Sequence, residues 1–123
     1  MSTVAILGAS SNRDKFGNKS VRAHAHRGWT VFPINPKESE IEGHTVYKSI
    51  KDVPEKLDRV SVYLPAQIAM NVLDDIASMK PDEVYFNPGA DDPEVLQKAE
   101  EKGLNVIKAC SIVAIGLSPA QFE

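Results

Sequence analysis

The chain has 123 residues, a net charge of -3, 42 % hydrophobic and 25 % charged residues, and one cysteine. That length suits one domain with a single real core. The mildly acidic balance excludes the broad basic surface that nucleic-acid binding needs, and the apolar runs fall far short of the roughly 20 residues that span a bilayer. A lone Cys110 allows no intrachain disulfide, and the N-terminal MSTVAILGASS lacks the basic flank and apolar length of a secretory signal. Both features fit a reducing, cytoplasmic compartment.

The first apolar run, Thr3–Leu7, predicts a strand. It leads into the loop GASSNRDKFG, residues 8–17, and then into a helix with Val21, His24, Ala25 and Gly28 on one stripe. Thr30–Ile34 is the second run. A charged connection with Gly43 and Pro54 follows, with one short turn around Ser49–Asp52. The third run, Arg59–Leu64, precedes a helix whose stripe is Ala69, Val72, Leu73, Ile76 and Ala77. After the fourth run, Glu83–Asn87, Asp92 reads as an N-cap with Pro93 at the first helical position. Val95, Leu96 and Ala99 carry that stripe, Gly103 ends it, and Leu104–Lys108 is the fifth run. Near-continuous apolar runs are what strands buried on both faces look like.

Strand and helix in alternation predict right-handed βαβ units. The expected fold class is α/β: one Rossmann-like doubly wound domain over residues 1–123. It has a five-stranded parallel sheet in the order 3-2-1-4-5, counting the runs along the chain. Ligands of such sheets bind beyond the carboxyl ends of the strands, at the switch point. That point lies beside the first strand. The candidate segments are therefore Gly8–Gly17, Asn35–Lys37, Leu64–Gln67, Asn87–Ala90 and Ala109–Ser111.

In the first loop, Gly8 permits a sharp turn and close approach of the backbone to a ligand. The N–H groups at the start of the next helix favour an anion. Ser10, Ser11 and Asn12 add short donors, and Arg13, Lys15 and Lys19 add positive charge. A phosphate-binding loop and a plain glycine turn with a solvated polar loop both fit. A dinucleotide fingerprint does not: the next glycine after Gly8 is Gly17, and the second run ends in Ile34-Asn35-Pro36-Lys37 with no acid for a ribose. A lysine there suits a ribose phosphate, as in NADP or coenzyme A (CoA). An exposed loop cation is the alternative.

The stretch GASSNRDKFGNKSV, the pattern V-x-P-I-N-P-K with a downstream glycine, and EVYFNPG resemble the small stand-alone CoA-binding proteins. These are similar to the CoA-binding domain of the succinyl-CoA synthetase α subunit. The resemblance covers the chain from Val4 to about Cys110. It implies CoA or acyl-CoA as the ligand. Gly8, Ala9, Ser10, Ser11, Arg13, Lys15, Gly17 and Asn18 would hold the pyrophosphate. Asn35, Pro36 and Lys37 would lie near the adenosine and its 3′-phosphate. Tyr63, Leu64 and Pro65 would form an apolar wall against the adenine, and Asn87, Pro88 and Gly89 would line the path of the pantetheine arm. Three features depart from the family: His24 in place of an apolar residue, Trp29 in place of a smaller aromatic, and the apolar tail from Cys110 to Ile115.

Candidate catalysts are few. His24 and His26 are two apart on a helix and face different ways, so they cannot chelate together. His24 reads as a satisfied core or interface group, and His26 and His44 as surface groups. No histidine, cysteine and carboxylate spacing resembles a metal site. Cys110 either forms a mixed disulfide with a ligand thiol or is a small buried hydrophobe. The expected function is non-catalytic binding of CoA or an acyl-CoA, without nucleic acid or membrane. Two alternatives stand: an NADP-dependent, reductase-like nucleotide-binding protein, and an interaction module with a vestigial pocket, which predicts a self-associating surface such as the apolar tail Ile112–Leu117; the partner is then a second copy or another protein. If the loop reading holds, Gly8→Val should block the ligand while sparing the fold.

Overall fold

The computed structural model describes residues 2–123. In chain order the elements are β1 (Thr3–Leu7), α1 (Phe16–His26), β2 (Thr30–Ile34), β3 (Glu40–Ile41), β4 (His44–Thr45), β5 (Arg59–Val62), α2 (Ala66–Ser78), β6 (Glu83–Phe86), α3 (Pro93–Glu101), β7 (Val106–Lys108) and α4 (Ser111–Ala114). Single 3-10 turns cover Ile50–Asp52 and Pro119–Phe122. Five strands form one parallel sheet, and β3 and β4 form a separate hairpin. The α/β class and the five parallel strands are those that the apolar runs predict. β7 begins later than expected, because the Leu104 N–H still serves the Ala99 carbonyl at the end of α3.

The strand order is a correction. The sheet runs β2-β1-β5-β6-β7. Counted over the five sequence runs this is 2-1-3-4-5, not 3-2-1-4-5. Pro33 supplies the reason. It lies in β2, paired in register with Ile6, and has no N–H for a ladder on both sides. Proline in a strand belongs at an edge. β2 is that edge, and beyond it, among the described residues, Tyr47 makes an isolated bridge to Ile34. The third run therefore crosses to the far side of β1. The switch point lies between β1 and β5, so the first loop faces the corner after Val62.

Both faces of the sheet are covered. Ala5, Leu7, Val60, Val62, Val84 and Phe86 pack with Ala69, Leu73, Ile76, Val95 and Ala99 of α2 and α3. Val4 and Ile6 pack with Val21 of α1 and with Val31. α3 starts as Asp92 and Pro93 predict: the Asp92 carboxylate accepts the Glu94 and Val95 N–H groups.

The apolar tail is a second correction. Ile112 and Leu117 are buried against Ala23 of α1 within this chain. Arg22 donates to the Phe122 carbonyl, and Arg27 to the Ile115 and Gly116 carbonyls, so the tail is strapped along α1. This second covering explains why α1 buries Ala23, outside the expected stripe; of that stripe Val21 and His24 are buried, Ala25 is half-buried and Gly28 is exposed.

His24 is fully buried, as a core histidine should be. Its Nδ1 lies 2.8 Å from the Ser20 carbonyl oxygen, and its Nε2 lies 3.4 Å from Arg59 Nη1. The first bond places the proton on Nδ1 and lets Nε2 accept from Arg59. Arg59 lies between the rings of Trp29 and Tyr85, 4.6 Å and 4.3 Å away, and pairs with Glu83 at 2.7 Å. Burial lowers the His24 pKa from 6.5 to about 4; the Ser20 carbonyl opposes the shift and the Arg59 charge adds to it. The neutral ring is the folded form. Its contribution is present above pH 6.5 and is lost as pH falls towards 4, where the unfolded chain binds a proton that the folded chain refuses. The loss should reach roughly 3 kcal/mol at pH 4. Urea unfolding of the wild type and of His24→Gln at pH 7 and pH 4 checks it: the wild type should lose more stability between the two.

Candidate functional site

Two glycines shape the site. Gly8 leaves β1 with φ +86°, and a Cβ there would lie 2.6 Å from the Tyr63 carbonyl oxygen. A Cβ on Gly17 would lie 2.2 Å from the Gly8 carbonyl oxygen. Helix α1 thus starts directly against the turn that leaves β1, and that turn rests on the corner after β5. Asn35 holds a third segment in place. Its side-chain amide donates to the Ala9 carbonyl at 2.9 Å, and its side-chain oxygen accepts the Lys37 and Glu38 N–H groups.

The result is a cleft of about 970 Å³ at the carboxyl ends of β1, β2, β5 and β6. Gly8, Ala9, Ser10, Lys15 and Gly17 line it, with Asn35 and Pro36, with Tyr63, Leu64 and Pro65, and with Pro88 and Gly89. The four strand ends converge as the sheet rule predicts. Five candidates lie off the wall. Ser11 donates its N–H to Glu38 at 2.9 Å. Arg13 pairs with Glu42 at 3.2 Å. Asn18 is fully buried, with its amide nitrogen on the Ser10 carbonyl. Lys37 is exposed beyond the rim. Asn87 is locked by Ser61, by the Val62 carbonyl and by the Ser111 N–H. Asparagines 18 and 87 are therefore braces of the rim, with their side-chain hydrogen bonds made inside the chain.

The electrostatics of the wall come from helix ends. α1 has Lys15 at its N-cap, with no side-chain hydrogen bond to the first amides and no acid in its first turn. α2 has Pro65 at its N-cap and is equally bare. The first N–H groups of a helix have no partner within it, and the helix dipole makes that end positive. Both bare ends border this cleft, whereas α3, with its Asp92 cap, has its end satisfied. Lys15 and Lys48 add positive charge to the wall and Asp14 one negative charge. Tyr63 donates to or accepts from Ser111 Oγ at 3.1 Å, and burial raises its pKa, so the phenol stays protonated.

Lys48, Phe16, Ile68 and Val72 also line the cleft. Phe16 lies within the candidate segment Gly8–Gly17; the other three lie outside every candidate segment. Lys48 arrives because Tyr47 bridges to Ile34, a pairing with no local signal. Ile68 had one: it is an apolar residue outside the buried stripe of α2, and it is 50 % exposed. Cys110 caps α4 among Ile112, Leu117 and Ala23 and is not on the cleft wall.

Residues 2–116 match the CoA binding domain family. The chain belongs to that family. The α subunit of an ADP-forming acetate–CoA ligase II from Pyrococcus furiosus is 30 % identical over 71 residues, covering 57 % of this chain and 16 % of that one. An ADP-forming acetate–CoA ligase II from Archaeoglobus fulgidus is 31 % identical over 118 residues, covering 94 % of this chain and 14 % of that one. The CoA-binding domain thus spans a small part of the length of these ligases. A conserved hypothetical protein from Pyrococcus furiosus has the same fold, with a TM-score of 0.82, 26 % identity, and 93 % and 99 % of the two chains covered.

The glycine contacts correct one expectation for this CoA-binding domain. Gly8→Val cannot block the cleft and spare the fold, because its Cβ would press on the Tyr63 carbonyl and its backbone has φ +86°. Gly17→Ala should lower the unfolding free energy by about 2–4 kcal/mol, since only a shift of backbone relieves the overlap. A urea melt of the variant against the wild type checks this.

Proposed function

We propose that this domain binds CoA or an acyl-CoA in the cleft and performs no chemistry on it. The observation that carries this reading is the convergence of two uncapped helix N-termini, α1 and α2, on one glycine-shaped cleft. Open amides and positive helix ends suit a pyrophosphate. The pyrophosphate would lie over Gly8–Ser10, Lys15 and Gly17, and the adenosine near the ends of β2 and β5, against Leu64 and Pro65. Lys37 would reach the 3′-phosphate from outside the rim. Pro88 and Gly89 would border the pantetheine arm. Ser11, Arg13, Asn18 and Asn87 hold the loops that make these contacts.

The non-catalytic part rests on where the candidate nucleophiles and bases lie and what they bond. Ser10 Oγ accepts the Asn12 N–H. Tyr63 is bonded to Ser111 with its proton held. His24 is buried against Arg59, and Cys110 sits among apolar side chains away from the wall. A nucleophile needs a base within hydrogen-bond reach, and these side chains supply no such pair.

Thermal shifts with CoA, dephospho-CoA, NADP and NAD test the ligand. At 100 times its dissociation constant a ligand adds about 2.7 kcal/mol and moves Tm by several degrees. The expected order is CoA first, with a smaller shift for dephospho-CoA. A shift with NADP alone would favour a reductase-like cofactor site. No shift with any of them would sink the reading. Lys37→Ala should weaken CoA more than dephospho-CoA in calorimetric titration; equal losses would remove the lysine from the 3′-phosphate.

A further inference from the structure

The hairpin β3–β4 turns on Glu42 and Gly43, with φ +49° and +80°. Two central residues with positive φ make a type I′ turn, whose first position favours Asn or Asp with Gly next. Glutamate is a poor choice there, since left-handed backbone crowds its Cβ. Among the described residues only one other non-glycine has positive φ, Lys80, which follows the C-terminus of α2, where such backbone is ordinary. Local turn chemistry does not explain Glu42.

Its carboxylate does. Glu42 Oε2 lies 3.2 Å from Arg13 Nε, and Oε1 lies 3.3 Å from Arg13 Nη2. The pair is an ion pair with one hydrogen bond, from Nη2, and the Arg13 side chain is exposed. Oε2 also accepts from Asn18 Nδ2 at 3.1 Å. The same Asn18 nitrogen donates to the Ser10 carbonyl at 2.9 Å, and its oxygen accepts from Arg22 Nε at 2.7 Å. Asn18 is fully buried, so these partners set which way its amide points. Arg22 in turn donates to the Arg13 carbonyl. The Asn18 hydrogen bond lowers the carboxylate's pKa, burial opposes the shift, and Arg13 adds to it.

We infer that Glu42 is a positioning residue for the first loop: it accepts an unfavourable turn conformation so that its carboxylate can hold Arg13 and Asn18, and through them Ser10, in the shape that receives the ligand. The inference rests on the CoA reading of the cleft. A loop held in its bound shape loses less freedom when ligand arrives. The residue touches no ligand itself.

Glu42→Asn separates this role from a structural one. Asparagine suits the turn and is too short to reach Arg13 and Asn18 together. Calorimetric titration with CoA should show binding roughly tenfold weaker. The affinity decides. A wild-type dissociation constant in E42N overturns the inference whatever its Tm. So does tighter binding, which would mean that the carboxylate competes with the ligand. If E42N does not fold, E42Q carries the test: it keeps the turn but loses the charge, and should bind about threefold more weakly. Absence of binding by the wild type removes the CoA reading and Glu42 with it. Wild-type binding with unchanged variants removes Glu42 alone.

Discussion

Everything at the carboxyl edge of the sheet depends on one contact between backbones: the start of α1 lying against the carbonyl of Gly8. No side chain fits between them, as the 2.2 Å approach of a Gly17 Cβ shows. Because the helix starts so close to the strand, its first residues, Phe16 and Gly17, line the cleft. The Gly8 turn, in the same way, rests on the Tyr63 carbonyl. The loop from Gly8 to Gly17 and the distant corner at Tyr63 are thereby fixed within van der Waals reach.

Buried polar side chains hold the rest of the rim. Ser111 Oγ bonds Ser61 Oγ at 2.7 Å and Tyr63 at 3.1 Å, and the Ser111 N–H donates to Asn87. This knot ties α4 to the ends of β5 and β6. Asn35 ties the second loop to the first, and Asn18 ties the first loop to α1 and the hairpin. Among the described residues no buried side-chain nitrogen or oxygen lacks a partner. A network satisfied throughout is stiff, because breaking one bond strands a buried group. Arg59, stacked between two rings and paired with Glu83, extends the same logic to the opposite end of the sheet.

Much of this was legible in the residues. The apolar runs located all five sheet strands, although β5 alternates as Arg-Val-Ser-Val and β7 is only partly buried. Asp92-Pro93 announced the start of α3. Gly8 and the ends of the other strands marked the cleft, because that rule depends on topology class and hardly on detail. Pro33 carried the strand order in plain view as an edge residue, and its missing N–H outweighs the usual expectation that sequential runs sit side by side. The identity of the braces was less legible. Asn18 and Asn87 have the chemistry of ligand contacts, and only their directions distinguish brace from contact.

The sequence by itself determined the fold class, the edge of the sheet where the cleft forms, and the glycines that let backbones meet. Those depend on local properties: hydrophobic runs, missing N–H groups and missing Cβ atoms. Only the tertiary structure decided which strand neighbours β1, which polar groups face the cleft and which face inward, and that the apolar tail closes over α1. Those depend on partners distant along the chain, Tyr47 for Ile34, Glu42 for Arg13 and Ser111 for Asn87. A side chain's role there follows from the partner that reaches it, which its own neighbourhood in the sequence does not specify.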